Sequence, residues 1–183
     1  GQNNVQGAAD MGVQPHQGPG YLAVDDPQAQ ARYQDFHGVA YPNKPGYKIP
    51  EMFAASTRGD LKALWIMGED LLRTDPNTCQ VRHALSGLEF LVVQELFLTD
   101  TAQLADVVFP ASSCLEKEGT FTNAERRVQR VRPVIPPLAG TRPDGQIVIE
   151  LMRRLGYPQA AHSAPDLLRE IASLVPFFQG VSW

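Results

Sequence analysis

Three observations in this sequence predict an α/β fold, a Rossmann-like parallel sheet with flanking helices. Short apolar runs end abruptly in polar loops, a helical pattern follows each loop, and the links between them are tight. An irregular N-terminal segment and a small β-ribbon excursion complete the expected architecture. With 183 residues the chain can form one domain with a real core, or one and a half. A net charge of -4 gives no reason to expect nucleic acid. No run approaches the roughly 18 apolar residues needed to cross a bilayer, so direct membrane insertion is not expected. The chain opens on Gly1 rather than a start methionine, which leaves the compartment open.

Residues 1–60 are expected to be an irregular, cofactor-facing segment with short helices. The opening Gly1-Gln-Asn-Asn-Val-Gln-Gly-Ala-Ala-Asp-Met-Gly12 is dense in amides and glycines, as in a buried loop where backbone approaches a ligand. Both ends of the chain read as cut. Prolines interrupt the sequence from Val13 to Gly59, with short helices expected at Pro27–Phe36 and Pro50–Thr57. So long and loop-rich an opening argues against a self-contained unit.

Residues 61–113 carry the α/β rhythm. A buried strand is expected at Ala63–Met67, then a loop, then a helix from Pro76 to Ser86 with Asp75 as its N-cap. The almost uninterrupted apolar run Glu89–Gln94 reads as a central parallel strand covered on both faces. A short helix at Thr99–Leu104 and a third strand at Ala105–Pro110 follow. From 114 to 142 the rhythm breaks: Gly119–Asn123 reads as strand and turn, and Arg126–Arg132 as a partly exposed basic ribbon. Residues 143–183 close the chain with two helices, Pro143–Leu155 and one opened by the capping box Ser163-Ala-Pro-Asp166.

In an open parallel sheet ligands bind beyond the carboxyl ends of the strands. Asp70 and Thr74 follow the first strand and Gln94 ends the second, while Asp144 opens a later helix and could join them. Carboxylates and amides can hydrogen-bond a guanine edge or ribose hydroxyls, so a nucleotide-bearing cofactor across the sheet edge is one reading. Simple turn and cap chemistry at Asp70 and Thr74, and macrodipole complementation at Asp144, is the other. No glycine-rich dinucleotide or Walker loop follows the first strand, which disfavours a simple nicotinamide or nucleoside-triphosphate site. The four histidines lack a nucleophile or metal partner, and Cys79 and Cys114 have no ligand spacing and read as buried or half-buried thiols. Neither a catalytic constellation nor a metal site is expected in this stretch.

The opening loop, Ile66-Met-Gly-Glu-Asp70, Phe90-Leu-Val-Val-Gln94, Thr99-Asp-Thr-Ala102, Ala105-Asp-Val-Val-Phe-Pro110, the Glu116–Gln129 run, Pro143-Asp144 and Leu155-Gly-Tyr-Pro158 form an ordered series. It resembles the catalytic subunits of formate dehydrogenases within the molybdopterin oxidoreductase superfamily, over essentially the whole chain. The resemblance implies an internal fragment of an enzyme that oxidises formate to carbon dioxide. In that family, molybdenum or tungsten is held by two molybdopterin guanine dinucleotides and electrons leave through a 4Fe-4S cluster ligated outside this stretch. It further implies that Asp70, Thr74, Gln94 and Asp144 contact the guanosine part of one dinucleotide and that Gln2 contacts the cofactor nearer the metal. The 114–142 excursion would pack with the iron–sulfur domain. The implied partners are the remainder of the same subunit and electron-transfer subunits, and the fragment alone is expected to be inactive. A related molybdopterin enzyme such as a nitrate reductase, and a non-catalytic α/β binding module, stand as alternatives. Two departures stand out. Leu71 replaces a proline common after the acidic residue, and Gly145 replaces an aromatic common beside the aspartate.

Overall fold

A computed structural model describes residues 3–157 and 163–183. The chain forms two compact units: Tyr47–Lys117 with Pro133–Gln159, and Gly1–Gly46 with Glu118–Arg132 and Ala160–Trp183. The first holds the parallel sheet. In it α3 (Ile49–Thr57) precedes β1 (Ala63–Met67), a helical turn α4 (Leu71–Thr74), α5 (Thr78–Ser86), β2 (Phe90–Glu95), β3 (Val107–Pro110) and α6 (Asp144–Arg154). The helix α1 (Val5–Asp10) and α2 (Pro27–His37), the strands β4 (Gly119–Thr122) and β5 (Val128–Val131), and α7 (Ala164–Leu174) belong to the other.

The sheet order is β1-β2-β3, all parallel, with Ile66 opposite Val93 and Gln94 opposite both Met67 and Phe109. The alternation of strand side chains puts Leu64, Ile66, Leu91 and Val93 on one face. There Ile66, Leu91 and Val93 join Phe53 from α3, Val81, Ala84 and Leu85 from α5, and Leu71, Leu72 and Ala102 in one core. Val93 is wholly buried, which contributes about 2 kcal/mol. The opposite face was expected to be equally covered and is not. Trp65, Val92, Val107 and Phe109 stay half-buried there, and Phe109 meets Trp65 edge-on with centroids 6.1 Å apart.

The expected Asp75-capped helix starts two residues later. Asp75 Oδ1 accepts the Asn77 N–H at 2.8 Å, a local turn that spends the carboxylate. Asn77 then caps α5 by accepting from Gln80 N at 3.1 Å, while Leu71–Thr74 make a separate helical turn. The third strand is shorter than expected and the helix before it is only the 3-10 turn Ala102–Leu104. Asp106 ends that turn by joining β2, its carboxylate accepting from Leu91 N at 2.7 Å.

In the other unit Val5–Asp10 of the amide-rich opening, expected as a loop, forms α1. Asn4, at φ 60°, turns its Oδ1 to the Thr122 N–H of β4 at 3.0 Å. Gly7 allows this approach, because a Cβ there would lie 2.1 Å from that same oxygen. Asp10 accepts from Tyr21 Oη at 2.5 Å and from Gln6 Nε2 at 2.8 Å. The hydrogen bond to Asp10, followed by burial, pushes the Tyr21 phenol above its ordinary range. Asp26 caps α2 and Ser163 caps α7 with the reciprocal Asp166 contact expected of a capping box. The helices α2 and α7 are joined by His37 Nε2 and Glu170 Oε1 at 2.9 Å.

Strands β4 and β5 pair antiparallel, Gly119 opposite Val131 and Thr122 opposite Val128, as a short ribbon. Asn123 Oδ1 closes its turn by accepting from Glu125 N and Arg127 N, both at 3.0 Å. Arg130 lies 4.6 Å over the Trp183 ring. Cys79 and Cys114 are free and exposed, not buried: one lies on the outer face of α5, the other in the loop after β3. Among the described residues no helix is long and apolar enough to cross a membrane, and no cluster of three metal-ligating side chains occurs.

Candidate functional site

The carboxyl ends of β1 and β2 lie side by side, and two pairs of polar residues collect there. Gly68, at φ 64°, turns the chain off β1 while its N–H continues the ladder to Gln94 O at 2.9 Å. That turn delivers Glu69 and Asp70 to the sheet edge. Asp70 Oδ1 accepts from both Thr101 N at 3.1 Å and Thr101 Oγ1 at 2.6 Å. The same hydroxyl oxygen accepts the Leu72 N–H at 3.1 Å, so the wholly buried Thr101 couples the Asp70 carboxylate to the start of α4. Arg73 Nε stands 3.5 Å from Asp70 Oδ2 and also reaches Asp100 at 3.2 Å. Thr74, exposed, donates its hydroxyl to Glu69 Oε1 and back to Asp70 O at 3.2 Å.

Gln94 and Asp144, 50 residues apart, meet directly. Gln94 Nε2 donates to Asp144 Oδ1 at 2.6 Å. Asp144 reaches the edge because the chain before α6 extends β3: Arg142 N donates to Pro110 O at 3.1 Å and Ser112 N donates to Arg142 O at 3.0 Å. Asp144 is then the first residue of an eleven-residue helix, where a carboxylate also complements the macrodipole. Its Oδ2 pairs with Lys117 Nζ. Gln94 is 1% exposed, yet its Oε1 has no hydrogen-bond partner. A buried amide oxygen left unpaired costs about 1–3 kcal/mol, and no group among the described residues donates to it.

The loop that carries Lys117 is fixed by Glu116, whose carboxylate accepts from Ser113 N and from Leu138 N, both at 2.7 Å. The Ser113 hydroxyl and N–H, then the Leu138 N–H, hold its carboxyl below the ordinary glutamate range.

Of the residues singled out from sequence, the fold brings Gln94 to Asp144 and Asp70 to Thr74, on adjacent strand ends. Gln2 lies outside the described residues. Reading the sequence missed Lys117 and Thr101. Both stood inside quoted stretches, Thr99-Asp-Thr-Ala102 and the Glu116–Gln129 run, without a stated role; the partner of Lys117 lies 27 residues away, beyond any local pattern. Among the described residues no group of three metal-ligating side chains stands here. The arrangement offers hydrogen-bonding groups: carboxylates, a buried amide oxygen and a hydroxyl-bearing loop at the edge of a parallel sheet.

A sequence model of the molybdopterin oxidoreductase family matches residues 2–154. Over all 183 residues the chain is 45% identical to a putative formate dehydrogenase, YrhE, of Bacillus subtilis (strain 168), of which it covers 19%. It is 40% identical to formate dehydrogenase H of Escherichia coli (strain K12), of which it covers 26%. It is 42% identical to the F420-dependent formate dehydrogenase subunit alpha of Methanocaldococcus jannaschii, of which it covers 27%. Each match spans 100% of this chain. The chain thus spans about a fifth to a quarter of the length of these relatives. Acetylene hydratase from Pelobacter acetylenicus shares the fold at a TM-score of 0.56 and 21% identity, over 85% of this chain and 22% of that one.

Proposed function

Because the chain belongs to the molybdopterin oxidoreductase family, we propose that it is the nucleotide-holding part of a formate dehydrogenase catalytic subunit. The bound cofactor, two molybdopterin guanine dinucleotides on molybdenum or tungsten, supplies the two-electron chemistry that takes formate to carbon dioxide, with electrons leaving to a 4Fe-4S cluster.

The residues of this chain do a different job, that of fixing the distal end of one dinucleotide. Asp144 presents carboxylate acceptors to the base, and Gln94 braces it while offering its buried Oε1 to a further donor. Asp70, held by Thr101, and Thr74 on the neighbouring turn face the ribose hydroxyls. Gln2 contacts the cofactor closer to the metal. The 114–142 excursion faces the iron–sulfur part of the subunit.

The single observation that carries the reading is the unpaired, buried Gln94 Oε1 beside Asp144 at the carboxyl end of the central strand. The set of side chains suits a nucleotide, with acceptors for base and sugar. The full-length relatives named as formate dehydrogenases support the substrate.

The test is direct. The full-length protein is purified and its molybdenum, tungsten and pterin nucleotide are measured per chain, alongside dye reduction by formate and, separately, oxidation of reduced dye by nitrate. Metal, guanine dinucleotide and formate-dependent turnover are expected. A full-length protein without metal or pterin would sink the proposal. Asp70→Ala should lower cofactor per chain while turnover per bound metal stays constant; normal loading with a slowed chemical step would count against Asp70 as a nucleotide anchor.

A further inference from the structure

Both oxygens of Asp144 are already engaged by the protein, Oδ1 by Gln94 Nε2 at 2.6 Å and Oδ2 by the Lys117 ammonium. A carboxylate offers about four lone-pair sites, two on each oxygen. One restraint on each oxygen leaves one acceptor site on each, side by side. They remain reachable, since the Asp144 side chain is 36% exposed. Two adjacent anionic acceptors select an edge with two adjacent donors. Guanine has that edge, N1–H beside its 2-amino group; adenine and cytosine alternate donor and acceptor.

Resting on the function proposed above, we propose that Lys117 is a positioning residue that fixes this acceptor pair. The terminal torsion of an aspartate is soft. Held by Gln94 alone, the carboxylate pivots about Oδ1 and its second acceptor leaves the plane. Lys117 removes that freedom, and it acts from a firm base, because the neighbouring Glu116 accepts from Ser113 N and Leu138 N. The pair is partly exposed, so it adds little to stability. Its role is therefore separable from folding.

Cofactor-free full-length protein is titrated calorimetrically with GMP, AMP and CMP. Wild type is expected to prefer GMP. Lys117→Met should weaken GMP about fivefold, the upper end for losing one exposed ion pair, with AMP unchanged and the thermal midpoint preserved. Lys117→Arg should restore the preference. Equal or tighter GMP binding by Lys117→Met, or equal losses of GMP and AMP, overturns the role of Lys117. Lys117→Gln serves if the Met variant does not fold; failure of both to fold also overturns it, because the ion pair is then structural. A wild-type protein that does not distinguish GMP from AMP overturns the site reading itself, whereas selectivity undiminished by the loss of Lys117 overturns only this inference.

Discussion

Replacing Thr101 by valine keeps the shape of a wholly buried side chain and deletes one hydroxyl. That hydroxyl donates to Asp70 Oδ1 and accepts from Leu72 N. Leu72 is 5% exposed, so its N–H has no water to turn to. An orphaned buried donor costs about 1–3 kcal/mol, and the carboxylate loses one of its two Thr101 donors besides. A local destabilisation of ~2 kcal/mol follows, which corresponds to roughly 30-fold faster opening. Thr101→Ser is the control: it keeps the hydroxyl and gives up one methyl, for about 0.8 kcal/mol. Hydrogen exchange of the peptide covering Leu71–Thr74 in the full-length protein reads this opening without requiring the whole molecule to unfold in one step. Valine should accelerate exchange there well beyond serine and leave α7 unaffected. Equal acceleration by the two variants would show that the methyl, not the hydroxyl relay, holds the turn after β1, and the account of Asp70 as a braced carboxylate would fail.

The same reasoning separates stability from recognition at Gln94. Gln94→Leu removes the unpaired Oε1, a relief of about 1–3 kcal/mol, and gives up a hydrogen bond to a charged group worth about 1.5–3 kcal/mol. The thermal midpoint of the cofactor-free full-length protein should therefore scarcely move while GMP binding falls about tenfold or more; a lower midpoint with intact GMP binding would contradict this. Glu116 sets an acid limit. Its carboxyl is held below the ordinary range in the folded state, so its contribution is fully present above the unfolded glutamate value of about 4.3 and is lost as pH falls through the lower folded value. Exchange in the segments 113–117 and 133–138, where Ser113 and Leu138 donate to Glu116, should quicken across that acid window in wild type. Glu116→Gln should exchange faster even at neutral pH and lose the dependence; an unchanged acid profile in that variant would rule Glu116 out.

Periodicity was enough to read the sheet. The runs at Ala63–Met67 and Phe90–Gln94 carry strand propensity, their flanking loops are polar, and the pairing order follows from tight connections. Capping chemistry was legible at Ser163, where the partner Asp166 lies three residues away. It misled at Asp75, because a carboxylate that can cap a helix can as easily close a turn onto Asn77. The opening segment reads as a loop, and Val5–Asp10 is a helix; its amides meet Asp10, Tyr21 and Thr122, which no local pattern reveals. At the candidate site the individual residues were legible and their pairing was not. Gln94 and Asp144 each had a local reason to be polar, and only the extension of β3 through Arg142 brings them within hydrogen-bond reach.

The parallel unit releases the chain at Lys117 and takes it back at Pro133. The root of that departure is knotted by short contacts: Lys117 to Asp144, Glu116 to the Leu138 N–H, and Val134 N to Leu115 O at 2.7 Å. Doubling the turn between Asn123 and Arg127 would cost only about 0.6 kcal/mol in closure entropy, so the turn can lengthen without loosening the contacts that close the root. Thr122, held by Asn4, and Arg130, over the Trp183 ring, have no such latitude.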